Sequence, residues 1–374
     1  MRREADAMQE GGGVHGLSLR APWVLAVDLP GRVDAMTSEQ IYVGSYTLRD
    51  GGGEGIGFGT TEELQVAAAT ANPSFLTISA DGRYLYATNE LPSGRVSAFA
   101  IADSGVLEFL NHQPTGGADP CHLEIDPSGK FLLSANYSSG SIAVHPIKED
   151  GSLGDPSQIL QREGSGPNEE RQEGPHAHQV TFDPSGSFAF DIDLGSDSVY
   201  VSTLSKEGRL EEVSRLQTHP GAGPRHLAFH PGGHAAYLIN ELDSTLIVLS
   251  HAEGKLAIAE TVSTRPDGAE GDNFPAEVLV SADGRFVYGS NRGDDTIAVF
   301  ETGAEGLEAE LIQTISSGGT WPRHLAFSKD GLQLYAGNET SDTIAVFTVD
   351  QSSGALTATG TPLNWPKPVC VLPY

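Results

Sequence analysis

Over residues 221–241 apolar and polar positions alternate in two short runs separated by bends. Gly223-Pro224 bends the chain, residues 225–229 alternate as a strand, Pro231-Gly232-Gly233 turns it back, and a second apolar strand at 235–239 ends on Asn240-Glu241. Period-two alternation bounded by Gly and Pro predicts a β-hairpin. A hairpin brings its outer ends together, so Arg225 and His226 are expected beside Asn240 and Glu241 at one rim. The frame recurs. With the hairpin glycine as ruler it falls at Gly82, Gly129, Gly186, Gly233, Gly284 and Gly331, at spacings of 47, 57, 47, 51 and 47 residues. Seven places later stand Asn89, Asn136, Asp193, Asn240, Asn291 and Asn338. Nine places earlier stand Pro73, Pro120, Pro224, Pro275 and Pro322, while in the third copy Pro175 is displaced by two. Most copies continue into a third apolar strand, as at 141–144, 296–300 and 343–347.

Units of this length cannot bury a face alone and must stack. The run Ile41-Tyr-Val-Gly-Ser-Tyr-Thr47 reads as the second half of a repeat, and the matching first half stands at the other end, Pro368-Val369-Cys370-Val371. Six whole repeats and one shared between the termini make seven. A unit completed from both ends closes a ring and leaves no free sheet edge at the seam. An open solenoid would need capping repeats, which the sequence lacks. The expected fold is therefore all-β, a seven-bladed β-propeller over residues 41–374 closed by strands from both termini. Residues 1–40 do not share the repeat and are expected to be a disordered or non-native extension, with Met36 as an alternative start. Arg20 and Asp28 interrupt their one apolar stretch, which argues against a signal peptide. Connections at 101–117 and 301–319 should carry an outer strand and the crossover. Those at 161–176 and 265–277 are longer, polar and placed before an innermost strand, so they are expected to overhang the channel mouth, either as ligand lids or as merely variable loops.

Composition narrows the function. A net charge of −28 and a pI of 4.6 exclude the basic surface that non-specific nucleic-acid binding needs. No apolar run is long enough for a membrane-spanning helix. Two cysteines, Cys121 and Cys370, are too few for a disulfide framework, which suits a reducing, cytoplasmic setting. Six lysines against 16 arginines, within that acid excess, fit either a protein from a salty cytoplasm or an ordinary acidic one.

Three rim positions vary where a purely structural position would settle on one residue type. Eight places before the ruler glycine stand Ser74, Cys121, His178, Arg225, Ala276 and Arg323, followed by Phe75, His122, Gln179, His226, Glu277 and His324. Eight places after it stand Glu90, Tyr137, Leu194, Glu241, Arg292 and Glu339. The Asn/Asp series is read as capping turns, the recurring histidines as packing residues, and Glu90 and Glu339 as solvated rim charges. His178, Arg225, Glu241 and Arg292 resist that reading, because charges converging in a tunnel carry a desolvation cost unless paired or used.

The segments Gly174-Pro-His-Ala-His-Gln-Val, Gly223-Pro-Arg-His-Leu-Ala-Phe with Asn240-Glu241, Ser290-Asn-Arg-Gly and Trp321-Pro-Arg-His resemble the lactonase family of seven-bladed propellers. That family includes sugar-lactone hydrolases and the fungal carboxy-cis,cis-muconate lactonising enzyme, and the resemblance covers residues 41–374. It implies a catalytic set of His178, Arg225, Glu241 and Arg292. His176, His226, Glu277, Arg323 and His324 are expected to bind substrate. His324 stands where relatives commonly carry an acidic residue. The implied reaction is hydrolysis of an anionic sugar lactone, 6-phosphogluconolactone to 6-phosphogluconate, with no cofactor and no metal. Glu241 or His178 would serve as base, and Arg225 or Arg292 would hold the oxyanion. The expected partner is the small anionic lactone alone, with neither nucleic acid nor membrane, and the chain acts as a monomer or weak homo-oligomer. A muconate-lactone cycloisomerase and a non-catalytic binding platform are the alternatives.

Overall fold

The computed structural model describes residues 39–374. The expected extension lies outside the described residues apart from Glu39 and Gln40, and Met36 lies outside them too. Every regular element among the described residues is a strand, and the strands form seven four-stranded antiparallel sheets. Blade 1 pairs Pro368–Pro373 with Gln40–Ser45, Gly55–Thr60 and Leu64–Ala69. Blades 2 to 7 follow in chain order, and their innermost strands are Leu76–Ile78, Pro120–Ile125, Ala177–Phe182, Pro224–Phe229, Phe274–Val280 and Pro322–Phe327.

Each innermost strand touches the next around the circle, and Pro368–Pro373 touches both Pro322–Phe327 and Leu76–Ile78. The ring is closed. At the seam Val43 pairs with Val371 and Tyr42 with Leu372. Trp365 Nε1 donates to Ser45 Oγ at 2.7 Å across the same seam. Ile41, Val43 and Val371 are buried there against Ala326, Tyr335 and Ile344 of blade 7. Each such side chain contributes about 1.5–3 kcal/mol by leaving water. Similar clusters fill the other six blade interfaces, so the core lies between blades rather than inside any one of them.

The turn reading holds in detail. All six ruler glycines adopt φ between 69° and 77°, a region costly for other residues, and each donates its N–H three residues back, as Gly233 does to His230 O at 2.8 Å. Four tyrosines each staple one blade to an outer hairpin of the next: Tyr42 to Gly105 O, Tyr86 to Gly151 O, Tyr237 to Gly306 O and Tyr288 to Gly354 O, at 2.8–3.0 Å. Gly354 must be glycine, since a Cβ there would stand 2.3 Å from the Phe286 ring in a backbone of φ 69°. The Asn/Asp series is buried and structural, as expected. Asn89 donates to Ala71 O at 2.6 Å, Asn291 to Thr264 O at 2.9 Å, and Asp193 accepts the N–H groups of His176 and Ser196 at 2.9 Å.

Candidate active site

Two repeated devices aim side chains at the hub. Prolines open or flank the innermost strands, where their missing N–H costs the ladder nothing. Register then shifts immediately afterwards, between Pro120 and His122, Ala177 and Gln179, Pro224 and His226, Pro275 and Val278, and Pro322 and His324. A bulge re-aims its extra residue, and the bulged residues include Cys121, His178, Arg225, Ala276 and Arg323. The second device is a clamp. The residue before the innermost strand's proline offers its carbonyl to a hub residue's N–H. Glu90 donates to Asn72 O at 3.0 Å, Tyr137 to Asp119 O at 3.0 Å, Glu241 to Gly223 O at 2.7 Å and Glu339 to Trp321 O at 3.0 Å. Asn72, Asp119, Gly223 and Trp321 all take positive φ to do so, and for the bulky Trp321, at 65°, this is strained backbone. The frame is constant; the side chains it presents are not.

Glu241 is the organising group. Arg292 Nη2 stands 2.7 Å and Arg225 Nε 3.2 Å from its Oε2, and Arg171 Nη2 donates to Oε1 at 2.5 Å. Burial alone would raise the Glu241 pKa, but Arg292, Arg225 and Arg171 outweigh it and hold the carboxyl well below the usual range. Arg225 is pulled down to about 9 by burial, Arg292 and Arg323, against the opposing pull of Glu241 and Glu277. Backbone carbonyls fix both guanidinium groups: Arg225 Nη1 donates to Ala276 O at 2.5 Å, and Arg292 Nε to Phe274 O at 2.9 Å.

His178 lies against this cluster, its ring centroid 5.1 Å from that of His226 and its Nδ1 3.9 Å from Cys121 Sγ. Burial, then Arg225, His226, Arg323 and Arg292, keep it neutral far below the ordinary imidazole value. His226 Nδ1 is 2.9 Å from Glu277 Oε1, while its Nε2 faces Arg225 Nη1 at 3.3 Å. With Glu277 accepting, the proton sits on Nδ1 and Nε2 receives the guanidinium. His324 Nδ1 accepts Val371 N–H at 3.3 Å and turns Nε2 toward Glu277 Oε2 at 3.5 Å. Gln179 Oε1 likewise accepts Leu227 N–H at 2.6 Å. Part of this layer therefore satisfies free edges of neighbouring innermost strands. His176 is set apart from the cluster: its ring stacks on Tyr137, Nδ1 lies 3.1 Å from Tyr137 O and Nε2 3.3 Å from Glu173.

Arg323 lies 5.4 Å over the Tyr46 ring, with no carboxylate in ion-pair range among the described residues. Glu339, read above as a solvated rim charge, is only 2% exposed and pairs with Arg49, because the clamp draws its backbone inward. Arg171, Arg49 and Tyr46 were not singled out in the sequence. They come from a lid and from the seam, and no local pattern marks them. The two expected lids differ. The first carries Arg171 onto Glu241 and Tyr137 OH. The second is pinned by Arg265 to Asp294 at 2.7 and 2.8 Å and overlies a separate cleft of about 490 Å³.

A closed seven-bladed ring with a polar, charged hub places the chain among the seven-bladed β-propellers. The family described as "Lactonase, 7-bladed beta-propeller" matches residues 40–373, and the chain belongs to that family. It is a lactonase. It is 38% identical over 347 residues to the 6-phosphogluconolactonase of Bacillus subtilis, a match covering 90% of this chain and 98% of that relative. Among solved structures, a protein from Lactobacillus plantarum superposes with a TM-score of 0.85 at 34% identity, covering 90% of this chain and 99% of that one. The periplasmic gluconolactonase PpgL of Pseudomonas aeruginosa gives 0.83 at 31%, covering 90% and 98%.

Proposed function

We propose that this lactonase hydrolyses 6-phosphoglucono-1,5-lactone to 6-phosphogluconate, as a cytoplasmic enzyme of the oxidative pentose phosphate route and a monomer or weak homo-oligomer. The observation that carries the reading is the gathering of Arg171, Arg225 and Arg292 on Glu241 beside a neutral His178. Within an acidic protein, this concentration of guanidinium groups favours an anionic substrate. Arg171, whose side chain is one-third exposed, is assigned to the phosphate. The cytoplasmic setting is supported by Cys121 and Cys370, both free and buried.

The base follows from charge. Glu241, held by three guanidinium groups, acts as their counter-ion. His178 is depressed by burial and by Arg225 and Arg292 too, but as the neutral imidazole of the cluster it takes the proton once the anionic substrate offsets the arginine field. His178 deprotonates water, the new hydroxide adds to the lactone carbonyl, and Arg225 and Arg292 stabilise the oxyanion. As the ring C–O bond breaks, the imidazolium returns its proton to the leaving alkoxide. Water and lactone thus give the hydroxy acid, with every proton accounted for. His226, held by Glu277, orients Arg225.

The test is lactone disappearance in excess chelator, for wild type, His178→Ala and Glu241→Gln, with the unphosphorylated lactone measured in parallel. Loss of His178 is expected to cost roughly 10²–10⁴-fold. Wild-type hydrolysis no faster than the spontaneous reaction would end the proposal.

A further inference from the structure

The half of the hub formed by blades 7, 1 and 2 takes no part in the steps above, yet it holds buried polar atoms without partners. Glu90 Oε1 accepts Tyr46 OH at 2.8 Å, and Glu339 Oε1 pairs with Arg49. The second oxygen of each, Glu90 Oε2 and Glu339 Oε2, is buried with no hydrogen-bond partner among the described residues. Arg49 covers the Tyr46 ring at 3.6 Å and Arg323 lies over it at 5.4 Å, so both carboxylates and both guanidinium groups surround one phenol. A buried carboxylate oxygen left unpartnered is costly, and native proteins seldom leave one so.

The chemistry of the vacant acceptors narrows what fills them. Two carboxylates oppose an anion at this spot, and two guanidinium groups oppose a metal cation. Arg49 already covers the Tyr46 ring at 3.6 Å, which leaves less of it for an apolar ring to stack on. A hydroxyl fits: it donates to a carboxylate oxygen and accepts from a guanidinium with the same atom.

We infer that Glu90 and Glu339, with Arg323, form a polyol subsite that reads the hydroxyl groups of the sugar ring while the opposite half of the hub opens the ester. The inference rests on the lactonase reading and adds the basis of selection: polyhydroxylated lactones over bare ones.

The test compares kcat/KM for glucono-1,5-lactone and for δ-valerolactone, which carries no ring hydroxyl, in wild type, Glu90→Gln and Glu339→Gln. The ratio between the two substrates is expected to fall about ten- to a hundred-fold in each variant, the range for loss of one charge-assisted hydrogen bond. An equal fall on both substrates, or an unchanged ratio, overturns the subsite. Binding of the neutral, non-hydrolysable glucono-1,5-lactam is measured by calorimetry on the same proteins, with Glu90→Gln as the milder change should Glu339→Gln fold poorly. Weaker lactam binding in the variants supports the subsite even where the hydrolytic reading fails. Equal binding in wild type and Glu90→Gln rejects it.

Discussion

Arg292 and Glu241 meet at 2.7 Å where two adjacent blades face the hub, one from blade 6 and the other from blade 5, and both are almost wholly buried. A charge pair this deep holds only because each partner neutralises the other. Removing one leaves an uncompensated charge in a poor solvent, at a typical cost of about 3–5 kcal/mol. Glu241→Gln is therefore expected to lower stability by that order as well as activity, read as a shift in the guanidinium chloride midpoint. An unfolding curve matching wild type would contradict the pairing.

The folded pKa of Glu241 lies below its unfolded value near 4.3, so its contribution is complete above that pH and fades only as pH falls toward the folded value. The hub histidines work in the same direction at higher pH. Burial heads the causes that depress His122, His178 and His226 well below 6.5, and it brings His324 to about 4. Below about 6.5 the unfolded chain takes up protons that the folded chain refuses, so stability falls as pH drops through that window. Each histidine contributes up to about 1.4 kcal/mol per pH unit. Unfolding midpoints at pH 7 and pH 5 should differ clearly in favour of pH 7, and less so in His122→Phe.

Arg171 reaches the same carboxylate from the lid, and its side chain is one-third exposed. Its loss leaves Arg225 and Arg292 on Glu241. Arg171→Gln should therefore raise KM for an anionic lactone several-fold with little change in kcat or Tm. A collapse of kcat with unchanged KM would move Arg171 from binding to chemistry.

The base of that lid is held by a separate buried pair. Arg162 donates to both oxygens of Asp191, at 2.8 and 2.6 Å. Arg162→Leu should destabilise the chain by about 3–5 kcal/mol, and Arg162→Leu with Asp191→Leu should recover much of it, because the stranded charge is gone. Thermal melts of the three proteins decide the matter. A double variant no better than the single one would mean packing, not charge, is lost.

Removal of Pro368–Pro373 takes the innermost strand from blade 1 and exposes the edge of Gln40–Ser45. Unpaired edges template association. A chain ending at Lys367 is expected to be recovered as aggregate, or to regain soluble ring structure only when the missing strand is supplied as a peptide. Size-exclusion profiles would show either outcome, and a stable monomer of unchanged Tm would count against closure by the seam.

The fold was legible because its determinants are local and repeated. A left-handed glycine, a proline without an N–H and a buried Asn each serve one turn, so their spacing alone gave the blade count and the shared blade 1. The bulges were legible only in hindsight: Arg225-His226 and Arg323-His324 are adjacent polar residues that break a period of two, the trace an extra strand residue leaves. Which residues meet in the hub was partly written in the frame, since Glu241 and Arg292 occupy equivalent rim positions and Arg225 starts the innermost strand beside them. What each one does was not. Arg171 and Glu241 lie 70 residues apart, and it is their contact that leads us to propose Glu241 as a counter-ion rather than a base. Glu339 became a buried acceptor by the same kind of long-range placement. Backbone conformation is set by near neighbours and can be read along the chain. Protonation is set by the field of every charge within a few ångströms, and only the closed ring brings those charges together.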